Sequence, residues 1–386
     1  MKAETKDIHS QRSWIIGNDQ VELAVTRLGA HMAPVVFSRD GDPPLQPYYI
    51  SPWQDEGRTP PCPVLEPLRG DFFCLPFGGN ATPFRGEKHP PHGESAGSLY
   101  RLLDCGCDQG VTTLAVECET KVRPGRVTRR FSLMDGHPAV YSTTTMDGFS
   151  GKTPMGHHAI LAMPEKEKSV LISMSPFQIG MTCPHLFSNP DNGEHQSLVI
   201  GASFDCLSRV PTLLKEEPVT DCSVFPARRG YADLVGLFED PAKVKNQPSW
   251  AVAVNTVDHW LWFSLKDARI LPARLIWTEN RGRKGSPWNG RNCCMALEDG
   301  CLYFDAGVAE SCGENLLSRR GIPTCHELTE GVPFSVNYIQ GAVRVPRGFG
   351  RVSGVEFGAD QVTFVTADGQ RAVVRVRHSF LADGKL

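Results

Sequence analysis

A mainly β chain, built as a large antiparallel β-sandwich, is the fold class this sequence predicts, and three observations carry the prediction. Apolar and polar residues alternate with period two in many short runs, such as VTTLAVECET (111–120) and SWAVAVNTV (249–257), which is the pattern of strands that bury one face. Gly, Pro, Asn and Asp punctuate the runs, and the 37 Gly and 30 Pro are spread along the chain instead of gathering in one linker. No long segment carries a sustained apolar i, i+3, i+4, i+7 stripe.

Taken in order, strands are expected in VELAVTRL (21–28), HMAPVVFS (31–38), VTTLAVECET, VTRRFSLM (127–134), AVYSTTTMDG (139–148), SVLISMS (169–175) and HQSLVIGASF (195–204). They continue in DLVGLFED (233–240), SWAVAVNTV, HWLWFSL (259–265), RLIWTEN (274–280), CLYFDAG (301–307), FSVNYIQGAVRV (334–345), GVEFGADQVTFVTA (354–367) and AVVRVRHSFL (372–381). GENLLSRRG (313–321) is the best short-helix candidate. The Pro-rich segment 48–68 reads as a long loop folded over the rim of a site. No composition break divides the chain, so one domain over residues 1–386 is expected, with extra strands from about 335 that close a sheet edge or mediate self-association as a homodimer.

With 386 residues the chain can bury a sizeable core. Its formal charge of −3 and the lack of any long like-charge run give no electrostatic case for nucleic acid or an anionic membrane surface. The expected partner is a small molecule. The polar start MKAETKDIHSQRSW lacks the apolar core of a signal peptide, and no apolar stretch is long enough to span a bilayer, so a cytoplasmic protein is expected. Thirteen scattered cysteines fit reduced thiols in a reducing compartment better than a disulfide framework. Neither Cys105-Gly106-Cys107 nor Cys293-Cys294 has the paired CxxC spacing of a structural zinc site, so no metal is expected there.

The stretch 68–102, LRGDFFCLPFGGNATPFRGEKHPPHGESAGSLYRL, ends an apolar run in a Gly-rich bend and delivers His92-Gly93-Glu94 on a loop, where binding and catalytic groups concentrate. Arg69-Gly70, Pro76-Phe77-Gly78 and His92-Gly93 together resemble the "RGG…P…FG…HGFAR…W" pattern of the galactose mutarotase-like superfamily, the sugar mutarotases and hexose-phosphate epimerases. Three further stretches agree, in family order: 21–37 with the opening hairpin, MGHHAILAMP (155–164) with the second-histidine strand, and 275–304 with the late segment that carries a catalytic glutamate. The resemblance implies a galactose mutarotase-like supersandwich and an aldose 1-epimerase type of isomerase acting on a carbohydrate.

Interconverting anomers needs one proton delivered to the ring oxygen and another removed from the anomeric hydroxyl, so an acid and a base suffice and no cofactor is expected. His and Glu suit this work because modest shifts bring both near neutral pH. The resemblance assigns Glu298 as base, at a strand end beside the Asp299-Gly300 turn, and His158 as acid, with His92 holding the substrate or assisting at the ring oxygen. His157 and His158 are neighbours on a strand, so only one of them can look into a shared cleft. Arg69 is the matched arginine, expected to hydrogen-bond sugar hydroxyls or else to pair with Asp71 or Glu66. Trp288, ahead of Trp277, is the expected apolar platform for a sugar face, and Asp233 is matched by order alone to a hydroxyl-binding aspartate. Arg283 and Arg291 flank the Trp288 loop as anchors for a phosphate or uronate, if the sugar carries one. Glu94 stands where the family has Phe, which moves a charge beside the histidine, and the aromatic pair expected after His158 is missing. A non-catalytic carbohydrate-binding protein of the same fold is the alternative function.

Overall fold

The computed structural model describes residues 3–39, 41, 43–244 and 247–386. Two large antiparallel sheets form its centre. Among the described residues one has seven strands, in the order Ser203–Phe204, Ile179–Thr182, Tyr231–Phe238, Ala273–Asn280, Cys293–Cys301, Met155–Ala162 and Phe73–Cys74. The other has nine, running Val224–Phe225, Val170–Met174, Ser249–Asn255, Trp260–Lys266, Phe334–Arg344, Ala139–Asp147, Gly125–Met134, Val111–Thr120 and Arg101–Asp108. A four-stranded N-terminal meander, Glu4–Ile8 through Met32–Phe37, completes the main scaffold. No helix among the described residues is long and apolar enough to cross a membrane.

Strand parity builds separate cores on the two faces of the seven-stranded sheet. Ala159, Leu161, Met295 and Leu297 enter the core shared with Trp262 and Tyr338 of the opposing sheet. Their neighbours Ile160, Ala296, Leu275 and Trp277 belong to a second core on the outer face, with Phe72 and Phe77. The candidate site lies on this outer face.

Charged groups stitch the inter-sheet layer. The buried Asp299 carboxylate is 3.0 Å from Lys266 Nζ and 2.9 Å from Arg274 Nε, and accepts from Tyr338 Oη at 2.7 Å. Buried Asp71 meets Arg129 at 3.1 Å and His157 Nδ1 at 3.0 Å. Both carboxyls are held below their ordinary range against the desolvation that pushes them up, Asp299 by Arg274 and Lys266, Asp71 by His157 and Arg129.

Five expectations need correction. The chain does not turn at Asp299-Gly300: the strand Cys293–Cys301 runs through it, because cations neutralise Asp299 and Gly300 has no Cβ to meet Met155 O at 2.7 Å. The run 195–204 is strand only at Ser203–Phe204, since the Asp233 carboxylate takes the Ser197 and Leu198 N–H groups that a neighbouring strand would otherwise use. CLYFDAG leaves the sheet after Cys301, with Phe304 at φ 52°, and AVVRVRHSFL stops at Arg375 before the short helix Phe380–Asp383. The helix near 313–321 comes earlier, at Val308–Cys312, leaving a single 3-10 turn at Ser318–Arg320.

Phe334–Arg344 lies inside the nine-stranded sheet, so the added strands begin at Val352–Phe357 and continue with Gln361–Thr366 and Arg371–Arg375. They cover a face, not an edge. Val362, Phe364 and Val374 pack with Val252, Leu261 and Phe263 of the large sheet, and fully burying such a side chain stabilises by about 1.5–3 kcal/mol.

Candidate active site

His158 and Glu298 are directly opposed across the pair formed by Met155–Ala162 and Cys293–Cys301, so their side chains emerge side by side on one face. His158 Nε2 lies 3.2 Å from Glu298 Oε1. His157, one residue earlier, is opposed to Asp299 and points between the sheets, stacked on Tyr338 at 4.1 Å and held by Asp71. His158 is thus the member of the pair that faces the cleft.

The Gly-rich loop brings in His92. Leu75 bridges Gly93, whose Cβ, if it had one, would sit 1.9 Å from Leu75 O, and whose φ of 76° suits glycine. The Asn80 amide donates to the carbonyls of Gly78 and Pro90 at 3.0 Å and of Pro76 at 3.3 Å, and its oxygen accepts from Val308 N at 3.0 Å. His92 N donates to Gly78 O at 2.7 Å. So held, the His92 ring stands edge-on to His158, centroids 5.1 Å apart, with Phe72 stacked on His158 at 4.7 Å. Its Nδ1 is 3.4 Å from Cys74 Sγ.

These groups line an open cavity of about 190 Å³ with walls from Trp277, Trp288, Leu68 and Phe187. The 48–68 segment does reach its rim, through Cys62, Val64 and Leu65. Trp288 stands edge-on to Trp277 at 5.6 Å and Trp53 at 4.8 Å. Asp305 and Arg283 also line it. The Arg283 guanidinium lies over Phe187 at 4.6 Å with its buried Nε unpartnered, and makes no ion pair with a described carboxylate.

Burial sets the electrostatics. Desolvation, then the charges of Asp305 and Asp299, push the Glu298 carboxyl well above its ordinary range. Desolvation, with His92 beside it, pulls His158 well below the usual imidazole value, and burial lowers His92 to about 4. Burial therefore favours the uncharged form of all three groups, a protonated carboxyl facing neutral imidazoles. The His158 Nδ1 has no hydrogen-bond partner among the described residues.

The remaining predicted residues lie elsewhere. Arg69 is fully buried and donates to Ile8 O, His9 O and Gln54 Oε1 at 2.9, 3.0 and 2.7 Å, pinning the N-terminal hairpin, and it does not line the cavity. Arg291 pairs with Glu56 at the surface, 3.1 Å between Nη2 and Oε2. Glu94 accepts from Lys121 N and Val122 N, both at 2.8 Å, so its charge caps a turn instead of flanking His92. Asp233 lies on the inter-sheet face and lines a separate, larger cleft of about 450 Å³, its carboxylate spent on Ser197 and Leu198. Size does not make that cleft the better candidate, because the smaller one is where perturbed acid and base groups converge. Asp305 escaped the sequence reading because FDAG reads as the tail of a strand; Phe72 carried no signal beyond an apolar run.

The sequence matches no protein-family model and, at a significant level, no curated protein. Solved structures do match. A galactose mutarotase-like protein from Clostridium acetobutylicum has a TM-score of 0.59 at 12% identity, covering 89% of this chain and 99% of its own. A candidate aldose 1-epimerase from Klebsiella pneumoniae scores 0.58 at 12% identity, covering 89% of this chain and 83% of its own. A second candidate aldose 1-epimerase, from Escherichia coli K12, scores 0.55 at 12% identity over 86% of this chain and 99% of its own. Its large antiparallel sheets, together with these matches over most of both chains, give this chain the galactose mutarotase-like β-sandwich fold.

Proposed function

We propose that this protein is a sugar 1-epimerase that interconverts the anomers of a small carbohydrate by acid/base ring opening and closure. One observation carries the reading: His158 and Glu298 face each other at 3.2 Å on the floor of an aromatic-walled cavity, with His92 alongside.

The anomeric oxygen and the ring oxygen share one carbon, so an acid and a base a hydrogen-bond length apart can serve both. When sugar hydroxyls enter, the single proton of the pair passes from Glu298 to His158, giving a carboxylate and an imidazolium without any change in total charge. Glu298 then takes the proton of the anomeric hydroxyl while His158 protonates the ring oxygen, and the bond from that oxygen to the anomeric carbon breaks. The open-chain aldehyde turns about its C1–C2 bond and recloses by the reverse transfers, which restores the pair. His92, held neutral, hydrogen-bonds the substrate. Trp288 and Trp277 take the apolar face of the ring. Arg283, in no direct ion pair among the described residues, receives an anionic substituent where the sugar carries one. The scattered cysteine pattern, with no paired disulfide framework in the sequence, fits a reducing compartment such as the cytoplasm.

Polarimetry on a panel of aldoses and sugar phosphates tests this. Glu298→Gln keeps the shape of the side chain and should lower the rate by about a hundredfold or more; a wild-type rate on every substrate would end the assignment. The binding-only reading draws on both imidazoles resting neutral. It predicts saturable sugar binding by calorimetry with no acceleration of mutarotation.

A further inference from the structure

Asp305 of the cavity wall belongs to a second set of groups that anomer exchange does not use. Cys183, His185 and Asp305 present a sulfur, a ring nitrogen and a carboxylate oxygen that all lie within 4.8 Å of one another. His185 Nε2 is 2.9 Å from Asp305 Oδ1, and Cys183 Sγ is 3.9 Å from the same oxygen. Metal bonds of ~2.0–2.3 Å in a tetrahedral site separate ligand atoms by roughly 3.3–3.6 Å, so small side-chain shifts close these three around one ion.

We infer that Cys183, His185 and Asp305 form a binding site for a zinc-class divalent cation at the edge of the cavity. The donor set selects the ion: thiolate and imidazole suit zinc and its neighbours, whereas calcium and magnesium take oxygen shells. Three protein ligands leave at least one coordination position for water or an oxygen of a bound small molecule, as in catalytic zinc sites.

The backbone holds the ligands in place. Cys183 follows the strand Ile179–Thr182 directly, and its N–H still donates to Leu234 O of the next strand at 3.0 Å. Pro184 stiffens the link from Cys183 to His185. Asp305 is fixed by its own carbonyl, which accepts from Gly79 N at 2.6 Å, in the loop that also seats His92. Asp305 lines the cavity with Glu298 and His158, while Cys183 and His185 meet it from outside that lining, so a cation there would share one ligand with the cavity wall.

The test is cobalt titration of the full-length, chelator-stripped protein, followed by absorption spectroscopy and then by competition with zinc. One equivalent should bind, with a thiolate-to-cobalt charge-transfer band that zinc abolishes. Cys183→Ser should lose the band. His185→Ala, at a half-exposed position that does not threaten the fold, should weaken binding at least tenfold, since removing even an outer-shell partner costs about 10–100-fold. Cys312→Ser controls for a separate pair of neighbouring thiols, Cys312 and Cys325, and should bind as wild type. Absence of saturable binding would overturn the inference. So would a band that survives both Cys183→Ser and His185→Ala or disappears in Cys312→Ser. Because the readout is metal binding, it stands or falls separately from the epimerase reading.

Discussion

At the scale of single residues, the informative quantity is the proton count of the His158–Glu298 pair. Burial raises the carboxyl and lowers the imidazole, so the state with one proton is favoured over both charged alternatives. The sign follows for each limb. Acid adds a second proton only below the ordinary imidazole value of 6.5, and base removes the first only above the ordinary carboxyl value of 4.5. The expected profile of kcat/KM against pH has an acid limb displaced below 6.5 and a basic limb displaced above 4.5, both belonging to the pair; an activity that climbs steadily from pH 6 to 8 with an unshifted histidine value would contradict it. Arg283 offers a second measurement. Arg283→Ala should raise KM for phosphorylated or carboxylated sugars by about tenfold or more, the worth of a charge-assisted contact, while leaving KM for neutral sugars within about twofold. Equal effects on both classes would remove its role as an anion anchor.

At the scale of elements, the site depends on how a loop is tied to a sheet. The two histidines arrive differently: His158 is placed by strand register, His92 by the Asn80 clamp and the Leu75–Gly93 bridge. Asn80→Ala would leave the carbonyls of Pro76, Gly78 and Pro90 and the N–H of Val308 short of a partner, costing about 1–3 kcal/mol. Activity should fall further than stability explains, by about ten- to a hundredfold, because displacements near 1 Å are enough to spoil a reacting geometry. Thermal denaturation and polarimetry on the same sample separate the two effects. The loop position of His92 was legible in its Gly and Pro neighbours. The clamp was not, because Asn80 bonds partners as distant as Val308.

At the scale of the whole molecule, two sheets are joined through a charged layer as well as an apolar one. Asp299 gathers Lys266, Arg274, Tyr338 and Ser264 from surrounding strands. Asp299→Asn keeps the shape but leaves buried Arg274 without its carboxylate and Lys266 with Glu239 alone, and should destabilise by about 3–5 kcal/mol, measured as a lowered urea midpoint. Because the folded carboxyl is depressed, its contribution is complete above the ordinary value of 3.8 and is lost as pH falls below it. Acid unfolding of the wild type should therefore steepen below pH 4, and the Asn variant should lose that dependence in part. A variant as stable as wild type would show that the layer is not structural. The three C-terminal strands do related work on the other side, sheltering the outer face of the nine-stranded sheet.

Alternation, turn residues and the lack of a sustained helical stripe determined the fold class from the sequence alone, because period two and Gly/Pro punctuation are local consequences of strand geometry. The same local logic located His92 on its loop and required that only one of His157 and His158 face the cleft. Which one, and what it would meet, is a matter of register: pairing His158 with Glu298 joins residues 140 positions apart, and no local pattern encodes that. Arg69 and Asp233 show the reverse, with polar side chains of suitable chemistry claimed by backbone groups that only the folded chain brings to them. Local sequence sets which face a residue occupies; long-range packing decides what stands opposite it, and a site made of facing groups is settled by the second.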